Sequence, residues 1–239
     1  MIKGLSGSTL KIIAIITMLI DHIGAAVLVR MIYATGDMEI YNSYLILRKI
    51  GRVAFPLFCY LLTEGFVHTS NAKKYALRLG CFAILSEIPF DLAFQSKVIG
   101  WEYQNVFFTL FFGFLAMAGD RCAKERFGDR KEICVLILVA SAGGCMLAAE
   151  LLRTDYGAMG VICILFLYML REKPVLQVLV GSLLFIDNWT AIFGFLLILL
   201  YNGKRGLKMK YTSYLFYPVH LLVLYVICYF MGLAGYAAI

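Results

Sequence analysis

An unbroken apolar stretch at residues 10–31 carries an Asp–His pair in its middle. The stretch reads LKIIAIITMLIDHIGAAVLVRM, and the pair is Asp21 and His22. A stretch of this length is enough for one helix to cross a bilayer. Ionisable groups at mid-membrane depth are costly and usually functional. The chain must therefore bury a polar site along a membrane helix.

Lys11 shares a face with His22 on this predicted helix. An α-helix turns about 100° per residue, so the eleven steps between them return to nearly the same face, about 16 Å further along the axis. Taken alone, Lys11 is also explained as a residue that extends its ammonium group to the membrane surface.

Composition places the whole chain in the membrane class. Of its 239 residues, 62% are hydrophobic, and the mean hydropathy is +0.84, well outside the range of soluble domains. We expect one integral-membrane domain over 1–239, without a soluble domain. We expect no cleavable signal peptide, because the first apolar stretch lacks a small-residue cleavage site.

Hydropathy predicts an all-α, polytopic helical bundle of about nine transmembrane helices, several of them short. The predicted spans are 10–31, 45–67, 76–95, 105–119, 133–152, 156–170, 174–187, 189–201 and 211–233.

Basic residues follow every even-numbered span. They are Lys73, Lys74 and Arg78, then Arg121, Lys124, Arg126, Arg130 and Lys131, then Arg171 and Lys173, and finally Lys204, Arg205, Lys208 and Lys210. Cytoplasmic loops carry the excess of Lys and Arg. We therefore predict a multi-pass protein of the cytoplasmic membrane, with its N-terminus inside and its C-terminus outside. The net charge of +7 is a topology signal and does not indicate nucleic-acid binding.

One alternative fuses 174–201 into a single long helix. That helix would move the basic residues after 201 to the outside and bury Asp187 and Asn188 in lipid, at a cost of several kcal/mol. Two short helices beside a recess fit the sequence better.

The polar residues within the spans fall into three levels. His22, Glu87 and His220 are predicted to lie near one plane at mid-membrane. Glu64 lies nearer the cytoplasmic end, at the level of Arg78. The outer level holds Arg52, Asp91, Asn105, Thr109, Asp155, Tyr156, Asp187 and Asn188.

Structural roles are alternatives for several of these residues. Asp21 and His22 could form hydrogen bonds that tie helices together, and Glu87 could form a buried ion pair with Arg52. A histidine in the position of His220 is more often a core residue than a catalyst. The seven cysteines are scattered singly, so their spacing supports neither a disulfide framework nor a metal site.

Four segments resemble the TraX family. They are LKIIAIITMLIDHIGA, GRVAFPLFCYLLTEGF, NAKKYALRLGCFAILSEIPFDL and YPVH. The founding member of that family is associated with N-terminal acetylation of conjugative pilin. The family is similar in turn to the membrane-bound acyltransferase family three, which usually has ten spans and transfers acyl groups from cytoplasmic acyl-CoA.

The acyltransferase resemblance assigns positions in this sequence. Lys11 and His22 reproduce a basic residue followed, after ten residues, by a catalytic histidine. Arg52, Pro56, Gly65 and Phe66 resemble the motif of the second span. Lys74 and Arg78 are the nearest equivalent of a pair of arginines that begins the next span, with a spacing one residue wider.

Together these observations predict a membrane acyltransferase that uses acetyl-CoA and no metal. The predicted catalytic residues are His22, Asp21, Arg52 and Glu87, with His22 as general base or acyl carrier. Lys11, Lys74 and Arg78 would bind the donor phosphates. The acceptor would contact Glu64, Asp91, Asn105, Asp155, Tyr156 and His220.

Two other readings remain open at this stage. The same ionisable residues would suit a proton or solute transporter, although that reading does not explain why a cytoplasmic cation precedes His22 on one face. The chain could also be a structural assembly partner. The acceptor itself, whether a peptide N-terminus, a glycan or a lipid, is not specified by the sequence.

Overall fold

The structure, a computed structural model, describes residues 4–237. Regular secondary structure in this part of the chain is helical, apart from two isolated β-bridges. In chain order the helices are α1 (Gly7–Thr35), α2 (Met38–Gly51), α3 (Ala54–Val67), α4 (Ala72–Gln95), α5 (Val106–Phe127), α6 (Lys131–Leu151), α7 (Gly157–Met169), α8 (Pro174–Leu184), α9 (Ala191–Leu199) and α10 (Lys210–Phe230). The prediction of an all-α chain is confirmed.

Four of these helices are long and apolar enough to cross a membrane. They are α1, α5, α6 and the Tyr211–Phe230 part of α10, and the two shorter apolar helices α7 and α8 accompany them. On α6, Leu136, Val139 and Leu147 are exposed, which suits a lipid-facing surface. A helical polytopic membrane protein is therefore supported, while the count of nine crossings and the orientation stay predictions.

The described chain forms two compact units. The first contains 4–58, Leu85–Gly100 and 185–237, and the second contains Cys59–Ile84 and Trp101–Leu184. The expectation of a single domain over 1–239 is not tested by this division.

Helix α1 of the first unit changes from α-helix to π-helix immediately after His22. The Ser6 hydroxyl caps its start by accepting from the Thr9 amide. The helix is α-helical from Gly7 to His22, π-helical from Ile23 to Leu28 and α-helical again to Thr35. Such π-helical insertions are rare and occur frequently at functional sites. Gly36, at φ +69°, ends the helix.

The predicted span 45–67 is wrong as one helix. A separate helix, α2, begins after the Asp37 cap, and the chain breaks at Arg52 and Val53 before α3. The cause of the error is that α2 mixes polar and apolar residues, so a hydropathy window misses its first half. Helix α2 packs on α1, where Gly24 closely approaches Leu47 and Gly51 closely approaches Asp21.

Arg30 is a fully buried cation in the first unit. Its Nε donates to the Tyr236 carbonyl at 2.7 Å, and Nη1 donates to the carbonyls of Ala26 and Ala93 at 2.8 and 2.6 Å. Nη2 donates to the Leu92 carbonyl and the Ser96 hydroxyl. The carbonyls near the C-terminal end of α4 carry partial negative charge, so Arg30 caps that helix end from inside the unit.

The core of the second unit is built around Phe66. The Phe66 ring packs edge-on against Phe114, with ring centroids 5.0 Å apart, and against Tyr168. The Arg121 guanidinium lies 3.8 Å from the Phe66 ring centroid and donates to the Phe66 carbonyl at 2.8 Å. Phe66 therefore orders α3, α5 and α7 within this unit.

Candidate active site

His22 and His220 form a hydrogen-bonded pair inside the first unit. His22 Nδ1 lies 2.7 Å from His220 Nε2. The two imidazole rings are stacked, with centroids 5.0 Å apart and an angle of 8° between their planes. Sequence reasoning placed the two residues at one depth, and the structure brings them into contact.

The backbone of α10 fixes the proton arrangement of this pair. His220 Nδ1 lies 2.7 Å from the Phe216 carbonyl oxygen, and a carbonyl can only accept. His220 Nδ1 therefore carries the hydrogen, and the Nε2 of a neutral His220 is an acceptor. His22 Nδ1–H must then donate to His220 Nε2, so the lone pair of His22 lies on its own Nε2, as a general base requires.

Aromatic rings surround the His22 side chain. Phe94 of α4 lies edge-on at 5.3 Å between ring centroids, and Tyr217 of α10 lies at 5.9 Å. His22 as a whole residue is partly exposed. The two rings give its imidazole an apolar surround on the sides that they cover.

The π-helical segment aligns His22 with Arg30. Eight residues of regular α-helix would leave the two side chains about 80° apart around α1. The π-helical segment Ile23–Leu28 contains one extra residue, which removes most of this angle between the two side chains. As a result, both side chains reach α4 and α10: His22 contacts Phe94 and His220, and Arg30 bonds Ala93 and lies beside Cys228.

Asp21 points along a different direction from His22. Its carboxylate forms an ion pair with Arg48 of α2. His220, and not Asp21, contacts His22 Nδ1. The physical reason is helical geometry, since consecutive side chains diverge by about 100°. The catalytic role of Asp21 stays a prediction.

Arg52 lies at the break between α2 and α3 and lines a recess of about 190 Å³. The other lining residues are Leu45, Arg48, Lys49, Asp187, Asn188, Trp189 and Thr190. The sequence placed Arg52, Asp187 and Asn188 at one level, and the structure brings them to one cavity.

Glu87 is half-buried on α4. It precedes Phe94 by seven residues, so it lies on nearly the same face of α4, about 10 Å closer to the helix start. Because Phe94 is the residue that contacts His22, Glu87 lies about two turns away from the predicted common plane. Its catalytic role stays a prediction.

The start of α1 is bonded to the segment that precedes α10. The amides of Gly7 and Ser8 donate to the carbonyls of Lys204 and Arg205 at 2.8 and 2.9 Å. The Leu207 amide donates to the Ser8 hydroxyl at 3.0 Å. This arrangement holds Lys204 and Arg205, both exposed, at the end of α1 that carries Lys11.

Lys74 and Arg78 lie at the start of α4, within the second unit. Lys74 is exposed, and the Arg78 guanidinium lies 5.2 Å from the centroid of the Tyr75 ring. Lys11 belongs to the first unit. Their joint action on one donor stays a prediction.

Four predicted acceptor residues hold loops and helix ends. Buried Asp91 accepts from Gln95 and from the Gly100 amide. Buried Asn105 caps α5 and donates to the Ala83 carbonyl. Asp155 accepts from the Tyr103 hydroxyl, and Tyr156 adopts a positive φ of 66° directly before α7. These contacts give the four residues roles in local structure, and their contact with an acceptor stays a prediction.

Glu64 has a local neighbour as well. Its carboxylate lies 4.0 Å from Nδ1 of His68, which follows the end of α3. The His68 side chain is exposed, so this pair is a weak surface interaction. A role for Glu64 in acceptor binding stays a prediction.

The motif residues of the second predicted span have packing roles. Pro56 packs against Gly194 of α9, where an added Cβ would lie 3.2 Å from the proline ring. An added Cβ on Gly65 would lie 2.7 Å from the Tyr75 hydroxyl. These contacts give Pro56 a packing role within the first unit and Gly65 a packing role within the second, as for Phe66, and sequence reasoning gave them no such role.

Arg30 was missed by the sequence analysis. The sequence contained a signal for it, because Arg30 is a cation near the end of the apolar stretch that carries Asp21 and His22.

Within residues 4–237, no group of three His, Cys, Asp or Glu side chains is placed to hold a metal ion.

Comparison with known proteins gives the family. No solved structure matches the chain. The chain is similar to the probable fimbrial assembly protein FimC, serogroup H1, of Dichelobacter nodosus, with 28% identity over 250 residues that cover 92% of this chain and 94% of that protein. The sequence profile described as TraX protein matches residues 6–228. Because this match spans nearly the whole chain, from the α1 cap to beyond His220, the chain belongs to the TraX family.

Proposed function

We propose that this chain is a membrane acyltransferase that moves an acetyl group from cytoplasmic acetyl-CoA to an amine of an acceptor. The observation that carries the proposal is the His22–His220 pair, which leaves His22 Nε2 as a hydrogen-bond acceptor in an apolar surround. The association of the TraX family with pilin acetylation supports the choice of reaction.

His22 acts as general base in the proposed reaction. The acceptor nitrogen attacks the thioester carbonyl carbon, and His22 Nε2 removes the proton from that nitrogen. The C–S bond then breaks, and the resulting CoA thiolate takes the proton back from His22. His220 touches neither substrate; it is a positioning residue that holds His22 in the required tautomer.

The oxyanion formed during attack requires a donor. Arg52 keeps this assignment as part of the proposal, and Arg48, which Asp21 holds beside α1, is a second cation in the same recess. Preorganised donors of this kind supply a large part of catalysis in acyl transfer.

The donor phosphates are proposed to bind at the start of α1. Lys11 lies on the His22 face of a regular α-helix, about 16 Å from His22, a distance comparable to the pantetheine arm of CoA. Lys204 and Arg205 are held at the same end of α1 by backbone hydrogen bonds. Lys74 and Arg78 remain donor-binding candidates from the second unit.

The acceptor is proposed to be a peptide amine of a surface-appendage subunit. Two supports exist: the association of the TraX family with pilin acetylation, and the name of the Dichelobacter relative, a probable fimbrial assembly protein. The proposed orientation, with the N-terminus inside, brings acetyl-CoA to Lys11 from the cytoplasm.

A comparison of matched cells tests the proposal. Envelope proteins are examined by mass spectrometry in cells that lack the chain, express it, or express His22→Ala. We expect an acetyl mass increment on an N-terminal peptide only with the unchanged chain. An unchanged acetylation pattern in all three strains would exclude the function. A proton or solute transporter would show transport and no acetylation.

A further inference from the structure

A short loop, residues 202–207, is bonded along the start of α1 in the first unit. At one end of the loop, the Asn202 amide donates to the Leu5 carbonyl at 2.9 Å. At the other end, the Leu207 amide donates to the Ser8 hydroxyl at 3.0 Å. Between them, two amides of α1 donate to carbonyls in the middle of the loop. These hydrogen bonds fix the loop backbone against α1.

Two glycines at positive φ flank the cations of this loop. Gly203 and Gly206 have φ values of +72° and +70°, a region that favours glycine. An added Cβ on Gly206 would overlap the Ser8 hydroxyl, whereas an added Cβ on Gly203 would meet nothing within 4 Å. The loop therefore approaches α1 closely at Gly206, directly after Arg205.

The loop and the start of α1 carry positive charge without acidic partners. Lys204 and Arg205 are exposed, and Lys11 is half-buried. The charges of Lys11 and Arg205 repel each other, and no Asp or Glu occurs in 1–20 or 189–239. In the described part of the chain, none of these three cations forms an ion pair. A bound anion would offset the repulsion, so this arrangement favours an anionic ligand.

The order of the cations along α1 assigns the groups of the proposed donor. Lys11 lies about 16 Å from His22 along the helix. The Arg205 carbonyl is bonded to the Ser8 amide, which lies about 4.5 Å further from His22. The pantetheine arm of CoA ends at the 5′-diphosphate, and the 3′-phosphate lies beyond it on the same ribose. A donor with its thioester at His22 therefore places its diphosphate at Lys11 and its 3′-phosphate at the loop.

The charge of the loop matches a phosphate monoester. Such a group carries about one and a half to two negative charges at pH 7, and Lys204 and Arg205 supply two positive charges on neighbouring residues. The planar guanidinium of Arg205 can donate two parallel hydrogen bonds to phosphate oxygens, while Lys204 acts as a point charge. The 3′-phosphate of CoA is a group of this kind.

We propose that residues 202–207 form a phosphate-monoester site, in which Lys204 and Arg205 bind the 3′-phosphate of the acetyl donor. Lys11 binds the diphosphate of the same molecule. The loop thus makes the protein specific for CoA over 3′-dephospho-CoA. This inference rests on the proposed function for the identity of the nucleotide, but the binding itself is measurable without acetyl transfer.

Binding of two unreactive probes tests the site. The full chain, purified in an uncharged maltoside detergent, is titrated calorimetrically with CoA and with 3′-dephospho-CoA. We expect CoA to bind more tightly by roughly tenfold or more, because hydrogen bonds between charged groups are lost with the 3′-phosphate. Arg205→Gln should bring this ratio of affinities close to one by weakening the binding of CoA alone.

Two variants serve as controls for the assignment. Lys11→Gln should weaken the binding of both probes by a similar factor and keep their ratio, since Lys11 is proposed to contact the diphosphate that both probes contain. Lys173→Gln removes an exposed cation of the second unit and should leave both affinities unchanged.

The two glycines provide a matched pair of variants. Gly203→Ala and Gly206→Ala introduce similar strain at positive φ, but only the second adds an overlap with Ser8. We expect Gly206→Ala to lower the preference for CoA more than Gly203→Ala does. A full preference for CoA in Gly206→Ala would contradict a site that depends on the docked loop.

Three further outcomes would overturn the proposal. They are equal binding of CoA and 3′-dephospho-CoA by the unchanged chain, an unchanged ratio in Arg205→Gln, and displacement of CoA by phosphatidylglycerol in mixed micelles, which would reassign the loop to a lipid headgroup. A chain that prefers CoA through Arg205 but transfers no acetyl group would keep the site and refute the proposed function alone. A chain that uses 3′-dephospho-acetyl-CoA as well as acetyl-CoA would refute the site alone.

Discussion

His22 Nδ1 lies 2.7 Å from His220 Nε2, although 198 residues separate the two in the chain. The Phe216 carbonyl sets the hydrogen of His220, and His220 in turn sets that of His22. Removal of His22 and removal of His220 should therefore have different effects on the reaction.

His22→Ala should abolish acyl transfer while leaving expression and acetyl-CoA binding in place. The loss of a general base typically costs about 10²- to 10⁴-fold in rate. Transfer of labelled acetyl groups by the purified protein measures the effect, with donor binding as the folding control. Undiminished turnover would exclude His22 as base or carrier.

His220→Leu should lower kcat at least about fivefold, the value of one hydrogen bond of about 1 kcal/mol, with little effect on KM for acetyl-CoA. His220→Gln should recover part of the rate, because its amide oxygen can accept from His22 Nδ1–H. If the Gln and Leu variants are equally impaired, His220 contributes by packing and not through this hydrogen bond.

Lys11→Ala and Arg78→Ala should each weaken acetyl-CoA binding and reduce its dependence on salt. Each removes a cation that is proposed to contact a donor phosphate, and such contacts are screened by ions. Isothermal titration at two ionic strengths measures both effects. Arg205→Ala tests in the same way whether the segment bonded to the start of α1 contributes to donor binding. Normal binding in all three variants would limit these cations to a role in topology.

Arg30→Lys should destabilise the protein although it keeps the charge. Lysine has three donors where arginine has five, so buried carbonyls that Arg30 satisfies would lose partners at about 2 kcal/mol or more in total. We expect thermal inactivation in detergent to begin roughly 5 °C or more lower. Arg126→Lys, at an exposed position, is the control and should behave like the unchanged protein.

Cysteine labelling should test the predicted orientation. In a background with the native cysteines replaced, Asn188→Cys should react with an impermeant reagent outside intact cells, and Lys208→Cys only after permeabilisation. Labelling of Lys208→Cys from outside would reverse the donor side and remove the basis for donor binding at Lys11.

Helix positions were largely predictable from the sequence, because long apolar stretches have few alternatives in a membrane. Helices α1, α4 and α6 lie close to the spans 10–31, 76–95 and 133–152. The break at Arg52 was not predicted from hydropathy, because apolar residues on both sides of Arg48, Lys49 and Arg52 make 45–67 resemble one continuous span.

The sequence predicted the depth of the site residues in the membrane, but not which of their side chains are in contact. Counting residues from the membrane surface placed His22 and His220 at one level, while their hydrogen bond depends on how α1 packs against α10. The local contacts of Asn105 and Asp91 were not predicted, because a polar residue at a helix end can serve as a cap as well as a ligand. Their role in acceptor binding stays a prediction.

The π-helical segment after His22 makes the backbone geometry of α1 as important as its apolar character. If Ile23–Leu28 became regular α-helix at unchanged length, Arg30 would lie about 80° away from the His22 face. Arg30 would then turn away from the carbonyls of Leu92 and Ala93, while the hydropathy profile would hardly change. A relative with regular α-helix here and one residue fewer would instead have seven steps between the two residues, so its arginine would lie within about 20° of the histidine face and still reach α4.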